Sequence, residues 1–233
     1  MKREYTIRSK LICEFLGSMF LVMAAIAPII LFRNILESSI SIAVLADSLA
    51  VGFILFALIE MFDFISGAHF NPAVSFSMAI LKKIEWSKAI AYMIFQVMGG
   101  LIGMIITHLM FFNDMKKLIV FSNICRSNWI YSAEVLGTFI LVLCILLLSQ
   151  KKSSRIALVI GLLVGGELIA TSLTMFANPQ VTIARIFTYS EAGIRPLDAI
   201  WFIIMEFTGA LLAVITWSFL NRDVCTNNRS INK

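Results

Sequence analysis

Long apolar runs, separated by short polar stretches, account for most of the chain. Six of them reach the roughly 20 residues that a helix needs to cross about 30 Å of hydrocarbon, and they lie at about 11–32, 40–62, 89–112, 129–149, 156–175 and 199–220. They lack the apolar/polar alternation of strands in a membrane barrel. The pattern predicts an all-α membrane protein with six transmembrane helices.

Two further apolar segments are too short to cross a bilayer, and each begins at an Asn-Pro break. The breaks lie at 66–75 (SGAHFNPAVS) and 176–181 (FANPQV), and the segments run over about 71–81 and 178–188. At about 1.5 Å per residue, each segment reaches roughly half of the hydrocarbon core. Irregular backbone survives at this depth only inside protein or along a water-filled cavity. We therefore predict two re-entrant half-helices, and such paired breaks point to a substrate site.

The two halves of the chain resemble each other. CEFLGSMFLV at 13–22 matches AEVLGTFILV at 133–142, and FQVMGG at 95–100 matches MEFTGA at 205–210. Each repeat holds three spans, and this odd number requires the halves to insert with opposite topology. We predict a single channel domain over 1–233, with repeat one at about 1–112, repeat two at about 129–220 and a cytoplasmic tail at 221–233.

Composition and charge agree with a membrane protein. The chain is 60% hydrophobic and 14% charged, with a mean hydropathy of +0.92, which excludes an ordinary soluble domain. The net charge of +5 is spread over loops and termini without a basic patch, so we expect no nucleic-acid partner. With the N-terminus inside, 13 Lys and Arg residues are cytoplasmic against 6 on the other side, which predicts that both termini are cytoplasmic.

The sequence offers no chemistry of an enzyme. Its four cysteines are far apart and form no CxxC pair, so neither a metal site nor a disulfide framework is expected. No paired nucleophile and base and no phosphate-binding loop is visible. We predict a protein without catalytic residues, metal or cofactor.

The breaks supply the candidate pore residues. Asn71 and Asn178 are good N-caps and are followed by Pro, so each is predicted to start a half-helix at the membrane centre. Two positive helix ends facing one point would repel cations and protons, while the amides could donate to a neutral solute. The carbonyls of Gly67, Ala68 and His69, and those at 174–177, are expected to line the pore as acceptors. The alternative for the lone His69 is a hydrogen-bonded structural residue.

Two carboxylates lie inside apolar spans. Glu14 and Glu134 are costly there unless they are paired or hydrogen-bonded. A proton relay is one possible role. Their matched repeat positions favour another, in which they accept backbone N–H groups of the two re-entrant loops.

These motifs resemble the aquaporin (major intrinsic protein) family. SGAHFNPAVS after the second span, FANPQV after the fifth, and Glu-x-x-Gly in spans one and four carry the resemblance, which covers essentially the whole chain. The second motif departs from the family, with Gln180 for the usual Ala and Val181 for the usual Arg. NPQVTIARIFT with the later AGIRP resembles a bacterial subgroup associated with arsenic-resistance genes. The resemblance implies a homotetramer in a lipid bilayer, here the inner (plasma) membrane of a bacterium.

The resemblance also implies a selectivity filter. In the family it takes one residue from span two, one from span five and two from the second re-entrant loop. These positions correspond to Val51, to Gly166, Glu167 or Leu168, and to Met175 and Val181. Val, Met and Val without Arg predict a wide, apolar constriction for uncharged solutes larger than water.

Two charged residues, Arg185 and Glu167, each have two possible roles. Arg185 lies four residues beyond Val181, one turn further outward, and belongs either to the outer vestibule or to an anchor for loop carbonyls. Glu167 either lines the pore or bonds backbone near Asn178. Glu60 and Asp63 in span two remain without a role.

The sequence thus predicts a passive channel for small uncharged solutes that excludes ions and protons. Glycerol or neutral metalloid acids such as arsenous acid are the expected solutes, with water as a second permeant. One alternative is a water-selective channel with an unusual filter. Another is a proton-coupled transporter, which would use Glu14, Glu60, Glu134 and Glu167 as a relay.

Overall fold

A computed structural model describes residues 5–126, 131–171 and 175–230, with the backbone alone for 223–230. Within these ranges the regular structure is helical. The helices are α1 (Ile7–Ile30), α2 (Ile40–Ser66), α3 (Pro72–Ile80), α4 (Trp86–Met110), α5 (Phe112–Met115), α6 (Tyr131–Lys151), α7 (Ile156–Ala170), α8 (Pro179–Arg185) and α9 (Pro196–Ser230). A π-helical turn, Leu31–Ile35, follows α1 after Pro28. The predicted all-α class is confirmed.

Five of the helices, α1, α2, α4, α6 and α9, are long and apolar enough to cross a membrane. The fifth predicted span, 156–175, was too long. Its helix α7 has 15 residues and ends at Ala170, where Thr171 turns to an extended conformation and leads the chain towards the second re-entrant loop. Part of the expected run of pore carbonyls, at 174, lies outside the described residues.

Glycines allow the long helices to cross closely. A Cβ at Gly99 of α4 would overlap the carbonyl oxygen of Phe15 in α1, and a Cβ at Gly209 of α9 would overlap that of Val135 in α6. These two crossings occupy matching places in the two repeats. The repeats join where α2 packs against α7, because Gly52 and Gly161 lie against each other's carbonyls.

The half-helices α3 and α8 complete the bundle. Both pack against α4 and α9, and they approach each other end to end in the interior. The chain before each is irregular: Gly67 ends α2 in a left-handed conformation with φ 91°, and Ala177 before α8 has φ 47°. This arrangement places 67–71 and 175–178 at the centre of the bundle.

The loops gather at two opposite ends. At one end, Ser122 pairs by a backbone hydrogen bond with Ile186, Arg195 with Ile124, and Arg33 forms an ion pair with Glu191. At the other end, Lys83 of the α3–α4 turn lies over the Trp217 ring of α9. Tyr5 packs there on Phe64 at the end of α2, so the start of α1 and the Trp217 region of α9 lie on this second face.

Candidate functional site

Matching asparagines begin the two half-helices. The side-chain oxygen of Asn71 accepts a hydrogen bond from the N–H of Ala73 at 2.8 Å, and that of Asn178 accepts from Gln180 at 3.3 Å. A proline with a pre-set φ occupies the first helical position after each. Two partial positive charges at helix N-termini therefore converge in the middle of the protein.

The same asparagines tie the two re-entrant loops together. Nδ2 of Asn71 donates to the Ala177 carbonyl at 2.8 Å, and Nδ2 of Asn178 donates to the Phe70 carbonyl at 2.9 Å. Gln180 adds a longer bond of 3.4 Å to the same Phe70 oxygen. An amide carries two N–H groups, so the second one on each asparagine can serve a ligand in the cavity that both residues line.

The first re-entrant loop has an unusual backbone that Glu14 supports. Ala68 and Phe70 have φ of 45° and 46°, a region that L-residues rarely adopt. Two backbone N–H groups of this loop donate to one carboxylate: that of His69 to Glu14 Oε1 at 3.1 Å and that of Phe70 to Oε2 at 2.8 Å. The Ser66 hydroxyl and the Gln96 amide complete the set of donors to Glu14.

The second loop repeats this arrangement with two acids. The N–H groups of Phe176 and Ala177 donate to Glu134, at 2.9 Å and 2.8 Å for the shortest bonds. Glu206, which stands where repeat one has Gln96, accepts from the Asn178 N–H at 3.0 Å. Both carboxylates are fully buried. Glu206 also accepts from the Thr182 hydroxyl at 2.6 Å, so the two carboxylates together support the second loop and α8.

His69 lies on the cavity but is held by neighbours. Its Nδ1 is 3.0 Å from the Ser75 hydroxyl, and its ring meets Tyr92 edge-on at 5.3 Å. Of the three loop residues predicted to line the pore, Ala68 and His69 line the cavity and Gly67 does not. His69 is thus held in a hydrogen-bonded position, with the Tyr92 ring beside it and its backbone N–H on Glu14.

A narrow cavity of about 60 Å³ runs past the centre. Its polar lining comes from His69, Asn71, Asn178 and Arg185. The rest of its wall is apolar, with residues such as Val51, Leu55, Val164, Leu168, Met175, Phe176 and Val181. Three predicted filter positions, Val51, Met175 and Val181, are therefore brought together on one cavity. Of the three candidates for the fourth filter position, Gly166, Glu167 and Leu168, one lines this cavity.

Gly166 does not lie on this cavity. It faces an apolar groove on the outside of the α2–α7 pair, and nothing comes within 4 Å of where its Cβ would be. Glu167 is buried, is absent from the cavity wall, and its Oε2 has no partner among the described residues. Leu168, the third candidate, supplies the wall. Successive helix residues point about 100° apart, so a shift of one or two positions decides which side chain faces the cavity.

Arg185 marks the end of the narrow cavity. Its guanidinium donates through NH2 to the Ala25 carbonyl and lies 3.4 Å from Asp47 Oδ2, while its carbon centre is 4.3 Å from the Phe176 ring centroid. Arg185 also lines a larger cavity of about 490 Å³, which we call the vestibule, together with Asp47, Arg126 and Glu191. Arg185 thus reaches the vestibule, as one of its two sequence interpretations has it, whereas the carbonyl that it contacts belongs to helix α1 and not to a loop.

Asp47 is a residue that the sequence reasoning missed. It lies four positions before Val51 in α2, one turn towards the vestibule, just as Arg185 lies one turn beyond Val181 in α8. A carboxylate inside an apolar span is a signal for function or pairing, and Asp47 carries that signal. Glu60 and Asp63, in the same span, are exposed on the surface of the chain.

The vestibule rim is rich in ionic contacts. Hydrogen bonds from Arg33 lower the pKa of Glu191, so this carboxylate stays charged. Burial lowers the pKa of Arg126 to about 10, which still leaves its guanidinium charged at neutral pH. Arg126 donates to the Gly193 carbonyl, and its guanidinium carbon lies 5.1 Å from the centroid of the Phe176 ring, which Arg185 also contacts.

The whole arrangement of half-helices, capping asparagines and supporting glutamates agrees with a known family. The model of the major intrinsic proteins matches residues 1–177 of this chain. The chain belongs to the major intrinsic protein family. Members of this family are channels, so the chain is a passive membrane channel and not an enzyme, and the transporter alternative is set aside. Asn178, Val181 and Arg185 lie beyond the matched residues.

Individual relatives point the same way. The chain is 33% identical over 217 residues to the aquaglyceroporin AqpS of Rhizobium meliloti (strain 1021), covering 92% of each protein. It is 29% identical over 170 residues to glycerol uptake facilitator protein 3 of Lactiplantibacillus plantarum, covering 66% of this chain and 70% of that protein. Its fold is similar to the solved aquaglyceroporin of Plasmodium falciparum, with a TM-score of 0.71 at 21% identity over 95% of this chain and 98% of the other.

Proposed function

We propose that this channel conducts small uncharged solutes larger than water, with glycerol and undissociated arsenous acid as the principal candidates and water as a second permeant. The observation that carries the proposal is Val181. The residue lies on the cavity together with Val51 and Met175, and a valine stands there where the resembled family usually has Arg. An apolar wall of branched and thioether side chains accommodates the carbon face of a solute without demanding hydrogen bonds.

The central asparagines supply the polar side of the proposed path. The free N–H of Asn71 and Asn178 would donate to a solute oxygen, while the converging helix ends disfavour cations. Glu14 and Glu134 would act as supports of the loops and not as a proton path. Names of relatives such as aquaglyceroporin and glycerol uptake facilitator support glycerol among the possible solutes.

Stopped-flow light scattering of proteoliposomes tests the proposal. Inward gradients of glycerol and of arsenite at neutral pH should each give swelling clearly faster than in empty liposomes. Fast water flux with no solute flux above the empty liposomes would instead identify a water-selective channel. If glycerol passes and arsenite does not, glycerol remains a proposed solute and arsenous acid is rejected.

We further propose a homotetramer in a bacterial inner membrane, with the two chain ends and the 83–88 turn on the cytoplasmic side. The excess of Lys and Arg on that face supports this orientation. The exposed α2–α7 groove offers a surface at which another copy could pack. Mass measurement of the detergent-solubilised protein decides the subunit number.

A further inference from the structure

We propose that Arg185 and Asp47 form a second, polar filter one helical turn outside the apolar one, which selects solutes by their hydroxyl groups. The proposal rests on the channel function above and adds the residues that would decide among neutral solutes of similar size. Its basis is a buried ion pair whose hydrogen-bonding capacity is only partly used, located where the narrow cavity meets the vestibule.

Several polar atoms of the pair have no hydrogen-bond partner among the described residues. Arg185 and Asp47 have side chains that are each 1% exposed. NH2 of Arg185 is used by the Ala25 carbonyl and Asp47 Oδ2, but Nε and NH1 of Arg185 and Oδ1 of Asp47 have no hydrogen-bond partner among the described residues. Buried donors and acceptors that lack partners are costly, so such atoms normally bind water or ligand.

The location places both side chains beside the path of a permeating solute. Arg185 and Leu168 are shared between the wall of the narrow cavity and that of the vestibule, and Asp47 lines the vestibule side. A solute crossing from one cavity to the other therefore passes the pair. The Phe176 ring, which packs under the Arg185 guanidinium, lies on the same narrow cavity and offers an apolar surface to the carbon atoms of the solute.

The chemistry of the pair sets the selectivity. A guanidinium only donates and a carboxylate only accepts, so together they fit a group that does both, which is what a hydroxyl does. Asp47 also balances the charge of Arg185, so the site does not favour anions as a lone buried arginine would. Polyols and neutral oxyacids match this requirement, and solutes with fewer hydroxyls match it less well.

The test compares two solutes of similar size. Channel-dependent fluxes of glycerol and 1,3-propanediol, which differ by one hydroxyl, are measured in proteoliposomes after subtraction of empty-liposome flux. The unchanged protein should favour glycerol. Arg185→Met and Asp47→Asn should lower the glycerol-to-diol ratio by up to about tenfold, the upper range for one hydrogen bond. Arg33→Met, which removes a charge at the exposed rim of the same vestibule, is the matched control and should keep the ratio.

The outcomes separate the two proposals. A ratio that is unchanged in Arg185→Met, while solute still passes, overturns the polar filter and leaves the channel function standing. Absence of any solute flux in the unchanged protein overturns the proposed function itself. If the variants do not fold in detergent, the unchanged protein decides, because a glycerol-to-diol ratio at or below one contradicts selection by hydroxyls.

Discussion

Two buried glutamates accept the backbone N–H groups of the re-entrant loops. Glu14 accepts from four groups and Glu134 from two consecutive N–H groups, all without access to solvent. A carboxylate has acceptor capacity on both oxygens, whereas an amide has it on one. The positive φ of Ala68, Phe70 and Ala177 persists because these bonds over-determine the loop conformation.

Replacement of these acids by their amides therefore tests the loops. Glu14→Gln and Glu134→Gln each place an NH2 group where N–H donors point, and we expect a loss of about 1–3 kcal/mol in the free energy of unfolding. Thermal unfolding in detergent measures the loss. Glu85→Gln, at an exposed position, is the control and should unfold as the unchanged protein does. Unaltered melting of Glu134→Gln would contradict the supporting role.

A second residue-scale prediction concerns the width of the apolar constriction. Val181→Arg adds a long cationic side chain to the cavity wall opposite Val51. We expect glycerol flux to fall by at least about tenfold while water flux persists, because a bulky group obstructs the larger solute first. Val181→Leu, which adds bulk without charge, is the control. A glycerol flux in Val181→Arg equal to that of the unchanged channel would show that Val181 is not a filter residue.

At the scale of helices, glycine positions distinguish packing from free surface. Gly99 and Gly209 allow two helix pairs to touch backbone to backbone at matching places, whereas Gly166 faces an open groove. The residue type is the same, but the cost of a methyl group differs because only the first two sites lack room for it.

Alanine substitutions turn this difference into a measurement. Gly99→Ala and Gly209→Ala should destabilise the protein by about 1–3 kcal/mol or prevent its folding, because the helices must move apart. Gly166→Ala should be neutral or stabilising by up to about 1 kcal/mol, since Ala favours helix more than Gly. The yield of monodisperse protein and the thermal unfolding temperature measure the stability of all three variants. Solute flux should be kept in Gly166→Ala, because this residue is away from the cavity.

At the scale of the molecule, the two ends of the bundle carry different residues, and only one of them holds the vestibule. The vestibule lies at the end that carries Arg33, Cys125 and Glu191, and the start of α1 and the Trp217 region of α9 lie at the other. Cys125 is exposed on the vestibule wall, and it can therefore report which side of the membrane the vestibule faces.

Labelling of intact cells with a membrane-impermeant maleimide makes that test. We expect Cys125 to be labelled from outside, because an exposed thiol reacts while Cys13, which is buried, does not. The label should disappear in Cys125→Ser and persist in Cys225→Ser, the variant in the predicted cytoplasmic tail. Modification of Cys125 should also slow solute flux by obstructing the vestibule. Labelling only after the cells are opened would reverse the proposed orientation.

The sequence by itself determined the membrane class, the two broken half-helices and the family. Each depends on local or periodic features: apolar length, an Asn-Pro start, and repeats of the same motif. The resemblance to the family also indicated Val51, Met175 and Val181 as filter positions, and the structure brings these three onto one cavity. Such features are written in the order of residues and need no knowledge of distant contacts.

Only the tertiary structure decided which face of each helix meets the cavity. It placed Leu168 on the wall and Gly166 outside, because the termination of α7 at Ala170 and its rotation against α2 follow from packing and not from local sequence. It also paired Arg185 with Asp47, 138 positions away. A pair of that separation is invisible in a linear sequence, because its two members are brought together only when α2 and α8 pack around the same cavity.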